Sequence, residues 1–328
     1  MHRAEYLKTT MAENFRVLLS DSLADQGIDA LKRNPRIAVE VKTGLRPEQL
    51  AAIIAPYHAL VIRSATKVTH EVIEAATSLK VIGRAGVGVD NVDLDSATRR
   101  GIVVMNSPLG NSVTTAEHTI SMMMAMARHI PEANAALRAG KWERGRFTGV
   151  ELCNKTLGVI GLGNIGRIVA DRATGLKMKV VGFDPILTAE AAARAGIELV
   201  SLDDLFRRSD FITVHAPLTD ETRGIVGAAA FKVMHKGVRI INCARGGIVD
   251  ESALLDALKT GRIAGAGLDC TVEEPLPAAS PLWDIPNVLI TPHTAGETRR
   301  YEDNVIDLLL ENLDRLWRGE QELKNGVV

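Results

Sequence analysis

Three side chains able to carry or hold charge stand just beyond apolar runs of this 328-residue sequence. Arg245 follows the run 238–243, within Asn242-Cys243-Ala244-Arg245-Gly246-Gly247. Glu274 falls five residues after Asp269 in a loop bounded by Pro275, Pro277 and Pro281, and His293 follows the run 288–291 within Thr291-Pro292-His293-Thr294-Ala295-Gly296. An imidazole changes charge near neutral pH, so it can carry a proton. A guanidinium presents a planar fork that matches paired oxygens. Singly, each also has an ordinary structural reading: a solvated arginine after a strand, a histidine held in a structural role. Spacing alone does not bring the three together.

A second pattern has a more specific physical demand. Gly161-Leu162-Gly163-Asn164-Ile165-Gly166 matches G-x-G-x-x-G, with a strand-like run 156–160 before it and a helical stretch 167–174 after it. In that context Gly161 allows a tight turn, Gly163 lets backbone approach a pyrophosphate, and Gly166 permits close helix–strand packing. The helix start offers N–H groups and a positive dipole end to an anion. Asp184 ends the next strand-like run, 18 residues beyond Gly166 (184 − 166), and is followed by Pro185, Ile186 and Leu187 rather than by an arginine. A carboxylate there accepts from a ribose 2′-hydroxyl and repels a 2′-phosphate, which favours NAD over NADP.

The elements that must position these residues recur as short β-rich runs separated by helical stretches, the pattern of parallel sheets in an α/β fold. One group spans 15–20, 37–41, 59–62, 79–83 and 102–105, with helical stretches at 47–54 and 69–76. A second spans 156–161, 179–183, 211–215, 238–243, 264–269 and 288–291. Residues 114–128 read as a helix carrying Met122, Met123, Met124 and Met126, and 301–317 as a terminal helix with a stripe at Val305, Leu308, Leu309, Asn312 and Leu316. The length suits two doubly wound domains.

Composition excludes several classes. At 46% hydrophobic and 24% charged the chain is an ordinary globular mix. Its 39 basic and 40 acidic residues nearly cancel, so no nucleic-acid partner is expected. No run approaches a membrane span and no signal peptide is visible, so no membrane partner and a cytoplasmic location are expected. Residues 1–14 read as an extension. Cys153, Cys243 and Cys270 are too scattered for a disulfide framework or a zinc site and read as small buried hydrophobes, so no metal is expected.

Taken in order, G-x-G-x-x-G, Cys243-Ala244-Arg245-Gly246-Gly247-Ile248-Val249-Asp250-Glu251, Glu273-Glu274-Pro275 and Thr291-Pro292-His293 resemble the D-isomer-specific 2-hydroxyacid dehydrogenases. The stretches 62–69 (Ile-Arg-Ser-Ala-Thr-Lys-Val-Thr) and 83–93 strengthen the resemblance, which runs from about Phe15 to Val328. It is greatest to the 3-phosphoglycerate branch. The resemblance implies a Rossmann NAD-binding domain, residues 108–296, inserted into a flavodoxin-like substrate domain made of 1–107 and 297–328. It implies hydride transfer between nicotinamide and a D-2-hydroxy acid, with 3-phosphoglycerate and phosphohydroxypyruvate the best guess. A hydroxypyruvate, glyoxylate or D-lactate-type reductase is the near alternative, and an NAD(H)-sensing corepressor-like binding protein the alternative from another class.

The same resemblance implies roles. His293 would be the general acid/base, Glu274 would orient its ring, and Arg245 would hold the 2-oxo acid. Asn164, Ile165, His215, Cys243, Ala244, Arg245, Asp269, His293, Ala295 and Gly296 would line the NAD site with the glycines and Asp184. Arg63, Ser64 and the backbone of Gly86, Val87 and Gly88 would meet substrate together with Arg245 and His293. The methionine-rich helix would lie at a homodimer interface between nucleotide-binding domains. Two stretches depart from the family pattern: Cys270-Thr271 replaces Val-Phe, and the loop after His293 reads Ala295-Gly296-Glu297-Thr298. The chain ends at Val328, so no appended regulatory module is expected.

Overall fold

In a computed structural model, the described residues are 15–23, 25–86, 88–106, 111–298 and, further on, 307–308, 310–313, 315, 318, 320 and 326–327. The chain divides into two compact units, one of residues 1–111 with 296–328 and one of 112–295.

The first unit holds β1 (Phe15–Leu19), β2 (Ile37–Val41), β3 (Ala59–Ile62), β4 (Val81–Arg84) and β5 (Val103–Met105) in a sheet of order β2-β1-β3-β4-β5. All neighbours in it are parallel, and the order 2-1-3-4-5 is the flavodoxin-like one. Both faces are buried, which is why the strands read as continuous apolar runs. Val17, Leu19, Ala59 and Val61 pack on one face, while Leu18, Leu60 and Ile62 pack on the other. Near the C-terminus, Gly326 makes an antiparallel bridge to Met105 and Val327 donates its N–H to the Val104 carbonyl (2.8 Å), so the tail of the chain returns to the β5 edge. Of the helix expected over 301–317, the described residues 307–308, 310–313 and 315 are helical, with Leu313 fully buried. Val305, Leu309 and Leu316 lie outside the described residues, as does the extension 1–14.

The second unit holds β6 (Thr156–Ile160), β7 (Lys179–Phe183), β8 (Glu198–Leu199), β9 (Phe211–Val214), β10 (Arg239–Asn242), β11 (Gly265–Leu268) and β12 (Val288–Ile290) in the order β12-β11-β10-β9-β6-β7-β8. All pairs in it are parallel. The order reverses between β6 and β9, the switch point of a Rossmann sheet, where the carboxyl ends of the strands leave a crevice for ligand. Ile240 and Ile241 alternate faces on β10: Ile240 joins Ile212 and Val214, and Ile241 joins Val159 and Phe211.

The long helix, Ser112–Ala127, packs on this second face. Met122, Met123 and Met126 are buried inside the unit, and only Met124 of the four is exposed. Met122 and Met126 lie against Gly267, where a built Cβ would sit 2.7 Å from the Met126 sulfur. Met122 and Met126 therefore fill the gap left by glycines on β11, a use suited to their flexible shape. One cysteine expectation is corrected. Cys243 and Cys270 are buried, but Cys153 is exposed. Its neighbour Leu152 takes the buried place, and Asn154, at φ 63°, follows in a turn.

Candidate active site

The G-x-G-x-x-G loop joins β6 to the helix Asn164–Gly175, which has no side-chain cap at its start. Gly161 has φ 89°, and a Cβ on it would lie 2.7 Å from the backbone of His215 at the end of β9. Gly166 meets the Gly161 carbonyl so closely that a Cβ would approach to 2.0 Å. Gly163 differs: a Cβ there has nothing within 4 Å. Two glycines are thus required by the fold, and the middle one faces open space above an uncapped helix start, where an anionic ligand would be welcome. This separation is testable. Gly161→Ala is expected to lower stability by about 1–3 kcal/mol through strain. Gly163→Ala is expected to cost about 1 kcal/mol or less in stability yet to weaken NADH binding by about 1–3 kcal/mol through steric intrusion. Thermal unfolding and NADH fluorescence titration check both, and unchanged NADH affinity in Gly163→Ala would contradict the assignment.

Asp184, at the end of β7, accepts from the N–H groups of Leu162 (2.8 Å), Ile186 (2.9 Å) and Leu187 (3.0 Å). Partial burial works against its charge, but these bonds and the nearby Arg167 hold its pKa below the ordinary value. Three of roughly four lone-pair positions on the carboxylate are filled, which leaves one for a ribose hydroxyl. His215 donates to or accepts from Thr213 through Nε2 (2.9 Å). Its Nδ1 is buried and has no partner among the described residues. Burial pushes its pKa down to about 3, so the ring is neutral and is no second acid/base. The open face at Gly163, the carboxylate and this orphaned nitrogen fit a dinucleotide.

Arg245 is positioned by a residue that sequence reading missed. Asn242, fully buried at the end of β10, accepts from the Ala244 N–H (3.0 Å) and donates to the Arg245 carbonyl (2.8 Å). Its side chain clamps the 243–245 turn, and Arg245 bonds the Ala244 carbonyl through Nη1 (2.7 Å). The signal was a polar residue ending an otherwise apolar buried strand, since buried amides must find partners.

His293 and Glu274 are brought together: His293 Nδ1 and Glu274 Oε2 lie 2.9 Å apart. The other carboxylate oxygen accepts from the Thr271 N–H (3.2 Å). Burial raises the Glu274 pKa, but the hydrogen bond and charge of His293, with help from Thr271 and Arg245, lower it on balance, so it is a carboxylate at neutral pH. His293 itself has φ 52°, an uncommon backbone position that recurs at functional sites.

Asp269 holds this loop. Its Oδ1 accepts from Thr291 Oγ1 (2.6 Å) and the Thr294 N–H (2.8 Å), and its Oδ2 from the Ala295 N–H (2.8 Å). His118, from the helix Ser112–Ala127, reaches Thr291 Oγ1 (3.2 Å) and lies 3.5 Å from Asp269 Oδ1. Both oxygens of Asp269 are committed to the backbone around His293. His118 carried no sequence signal, because it lies on a helix distant in the chain.

In the first unit, the guanidinium of Arg63 is hydrogen-bonded to Glu297, and its N–H donates to Asp21 (2.5 Å). Ser64 and Lys67 are exposed. Gly86 is not an available donor, since its N–H goes to the Arg84 carbonyl (2.9 Å); Val87 lies outside the described residues. Gly296 packs against Asn111 in this unit rather than with the second.

Comparison with known proteins decides the family. Residues 120–295 match the model of the D-isomer specific 2-hydroxyacid dehydrogenase, NAD binding domain. The chain belongs to this family. It is 48% identical over 304 residues to the D-3-phosphoglycerate dehydrogenase of Archaeoglobus fulgidus, covering 93% of this chain and 58% of that one. It is 50% identical over 290 residues to that of Synechocystis sp., covering 88% and 52%. This member therefore spans a little over half the length of the curated relatives it matches. Among solved structures, the TT0316 protein from Thermus thermophilus superposes with a TM-score of 0.88 at 35% identity, covering 95% of this chain and all of that one. The family's NAD-binding domain is the Rossmann unit described above, and the cofactor is NAD.

Proposed function

We propose that this family member is an NAD-dependent oxidoreductase that interconverts a D-2-hydroxy acid and its 2-oxo acid. The observation that carries the proposal is the His293–Glu274 pair (2.9 Å) on adjoining strand-end loops of the NAD-binding unit. With Nδ1–H donated to the Glu274 carboxylate, Nε2 is left as the proton-carrying atom, and the carboxylate stabilises the charged ring. Bound NAD(H) supplies or accepts the hydride at C2 of the substrate. His293 gives a proton to the C2 oxygen in reduction and takes it back in oxidation. Arg245, fixed by Asn242, would pair with the substrate carboxylate and carbonyl and set the approach of C2. Asn164, Ile165 and the glycines would hold the pyrophosphate, and Asp184 the ribose. Cys243, Ala244 and Ala295 would wall the nicotinamide end, while Asp269 acts through the loop it holds.

Arg63, Ser64 and Gly88 are proposed for substrate binding from the first unit. 3-Phosphoglycerate is the best guess for the hydroxy acid, supported by the names of the relatives about half identical to the chain. A homodimer through the NAD-binding unit is supported by surface chemistry. Val113, Met124, Ile130, Leu137 and Trp142 are exposed large hydrophobics within one short stretch, and the helix Ile130–Arg138 buries none of its residues. Exposed large apolar side chains of this kind are what an interaction surface draws on. No helix among the described residues is long and apolar enough to cross a membrane.

Two experiments test the reading. NADH oxidation with a panel of 2-oxo acids, phosphohydroxypyruvate included, should show turnover; tight NADH binding with no turnover on any of them would leave an NAD(H) sensor instead. Asp184→Ala should relax the preference for NAD over NADP, measured as the ratio of kcat/KM values. An unchanged ratio would mean that another group reads the ribose.

A further inference from the structure

We propose that Cys270, Glu274 and His293 form a binding site for a zinc-class divalent cation, and that the cation inhibits the enzyme by occupying the acid/base pair. A thiol sulfur, a carboxylate oxygen and an imidazole nitrogen from these residues all lie within 4.8 Å of one another. Their convergence is a product of the sheet. β11 and β12 are parallel neighbours with Leu268 opposite Ile290, so Cys270 and His293 leave adjacent strand ends on the same side. Glu274 returns to the pair because its carboxylate is tied to the Thr271 N–H (3.2 Å) and the imidazole (2.9 Å).

The donor set selects the ion. One sulfur, one nitrogen and one oxygen, with a fourth position for water, match zinc, whereas magnesium and calcium require oxygen shells. A tetrahedral zinc, with bonds of about 2.0–2.3 Å, sets its donors about 3.3–3.7 Å apart. The Nδ1–Oε2 pair at 2.9 Å needs to open slightly and the sulfur to close by about 1 Å, the buried Cys270 thiol giving up its bond to the Ala244 carbonyl (3.5 Å) in exchange for the ion. No three-ligand spacing motif announces the site, because Cys270 and Glu274 share the loop after β11 while His293 stands on the loop after β12. The binding claim stands on these three side chains alone; the inhibition rests on the dehydrogenase reading.

The test uses the full chain, reduced and stripped with chelator, and cobalt(II) as a probe. One equivalent of cobalt should bind with a near-ultraviolet thiolate-to-cobalt band that zinc displaces and magnesium does not. The band should vanish in Cys270→Val and persist in Cys153→Ser, which removes the exposed thiol. X-ray absorption of the zinc-loaded wild-type protein should show one sulfur scatterer with nitrogen and oxygen, a readout that needs no variant to fold. In turnover assays, zinc should inhibit wild type at concentrations at least about tenfold lower than Cys270→Val. A band that survives in Cys270→Val, or a zinc shell without sulfur, would overturn the site. Cobalt titration needs no turnover, so loss of the site and failure of the dehydrogenase reading are separately visible. Binding intact but inhibition equal in both proteins would refute the inhibitory role.

Discussion

His293→Ala is expected to lower kcat by about 10²–10⁴, the usual contribution of a positioned acid/base, while NADH affinity is retained. The two effects separate because the features that would hold the pyrophosphate and ribose, Gly163, the helix Asn164–Gly175 and Asp184, are tied to strands β6 and β7, while the 291–295 loop would add Ala295 at the nicotinamide end alone. Alanine at φ 52° carries a backbone penalty of its own, so His293→Asn is the better partner experiment. Asparagine tolerates the left-handed position but cannot carry the proton, and it should lose turnover to a similar extent. Stopped turnover with unchanged NADH fluorescence titration supports the role. A parallel loss of NADH binding in both variants would show that His293 is structural.

Asp269→Asn is expected to damage stability and turnover together. The carboxylate is buried at 2% exposure. Burial alone would raise its pKa, yet hydrogen bonds from His118, Thr291, Thr294 and Ala295 bring it down to about 2. A carboxylate whose folded pKa lies below its ordinary value of 3.8 stabilises the fold above that ordinary value, and this stabilisation is lost as pH falls through about 4 to about 2. The shift corresponds to about 2 kcal/mol. The asparagine variant should therefore unfold roughly 4–8 °C below wild type at neutral pH, with the gap narrowing as pH falls toward 2. Because asparagine keeps one acceptor oxygen and presents an NH2 group in place of the other, the bonds from Thr294 to Oδ1 and from Ala295 to Oδ2 cannot both survive, and kcat should fall as well, with pyrophosphate and ribose binding untouched. A stability gap that does not depend on pH would contradict the charge argument.

The strands that position the site were legible because both faces of each sheet are buried. Residues such as Ile240 and Ile241 must both be apolar, and the run betrays the strand. β8 (Glu198–Leu199) was not legible: two residues at a sheet edge, one of them charged, leave no pattern. The helix Ile130–Arg138 carries its apolar residues Ile130 and Leu137 exposed and buries none of its residues, so burial in the unit's core does not account for its pattern. The dinucleotide loop was legible because its glycines answer local backbone demands. Asn242 bonds within its own turn, to Ala244 and Arg245, but the contacts of His118 and Asp269 were not legible, because each depends on strands or helices meeting across the fold. The same holds for Arg63 and Glu297, 234 positions apart in the chain, and for Cys270 and His293, which the register of β11 and β12 brings together.

The most direct measurement of the central claim follows the hydride itself. NADH carrying deuterium at nicotinamide C4 should be incubated with phosphohydroxypyruvate and simpler 2-oxo acids, and the product examined by mass spectrometry and chiral separation. Deuterium at C2 of a D-configured 2-hydroxy acid is the predicted result. Tight binding of the labelled NADH with no label in any product would contradict the account.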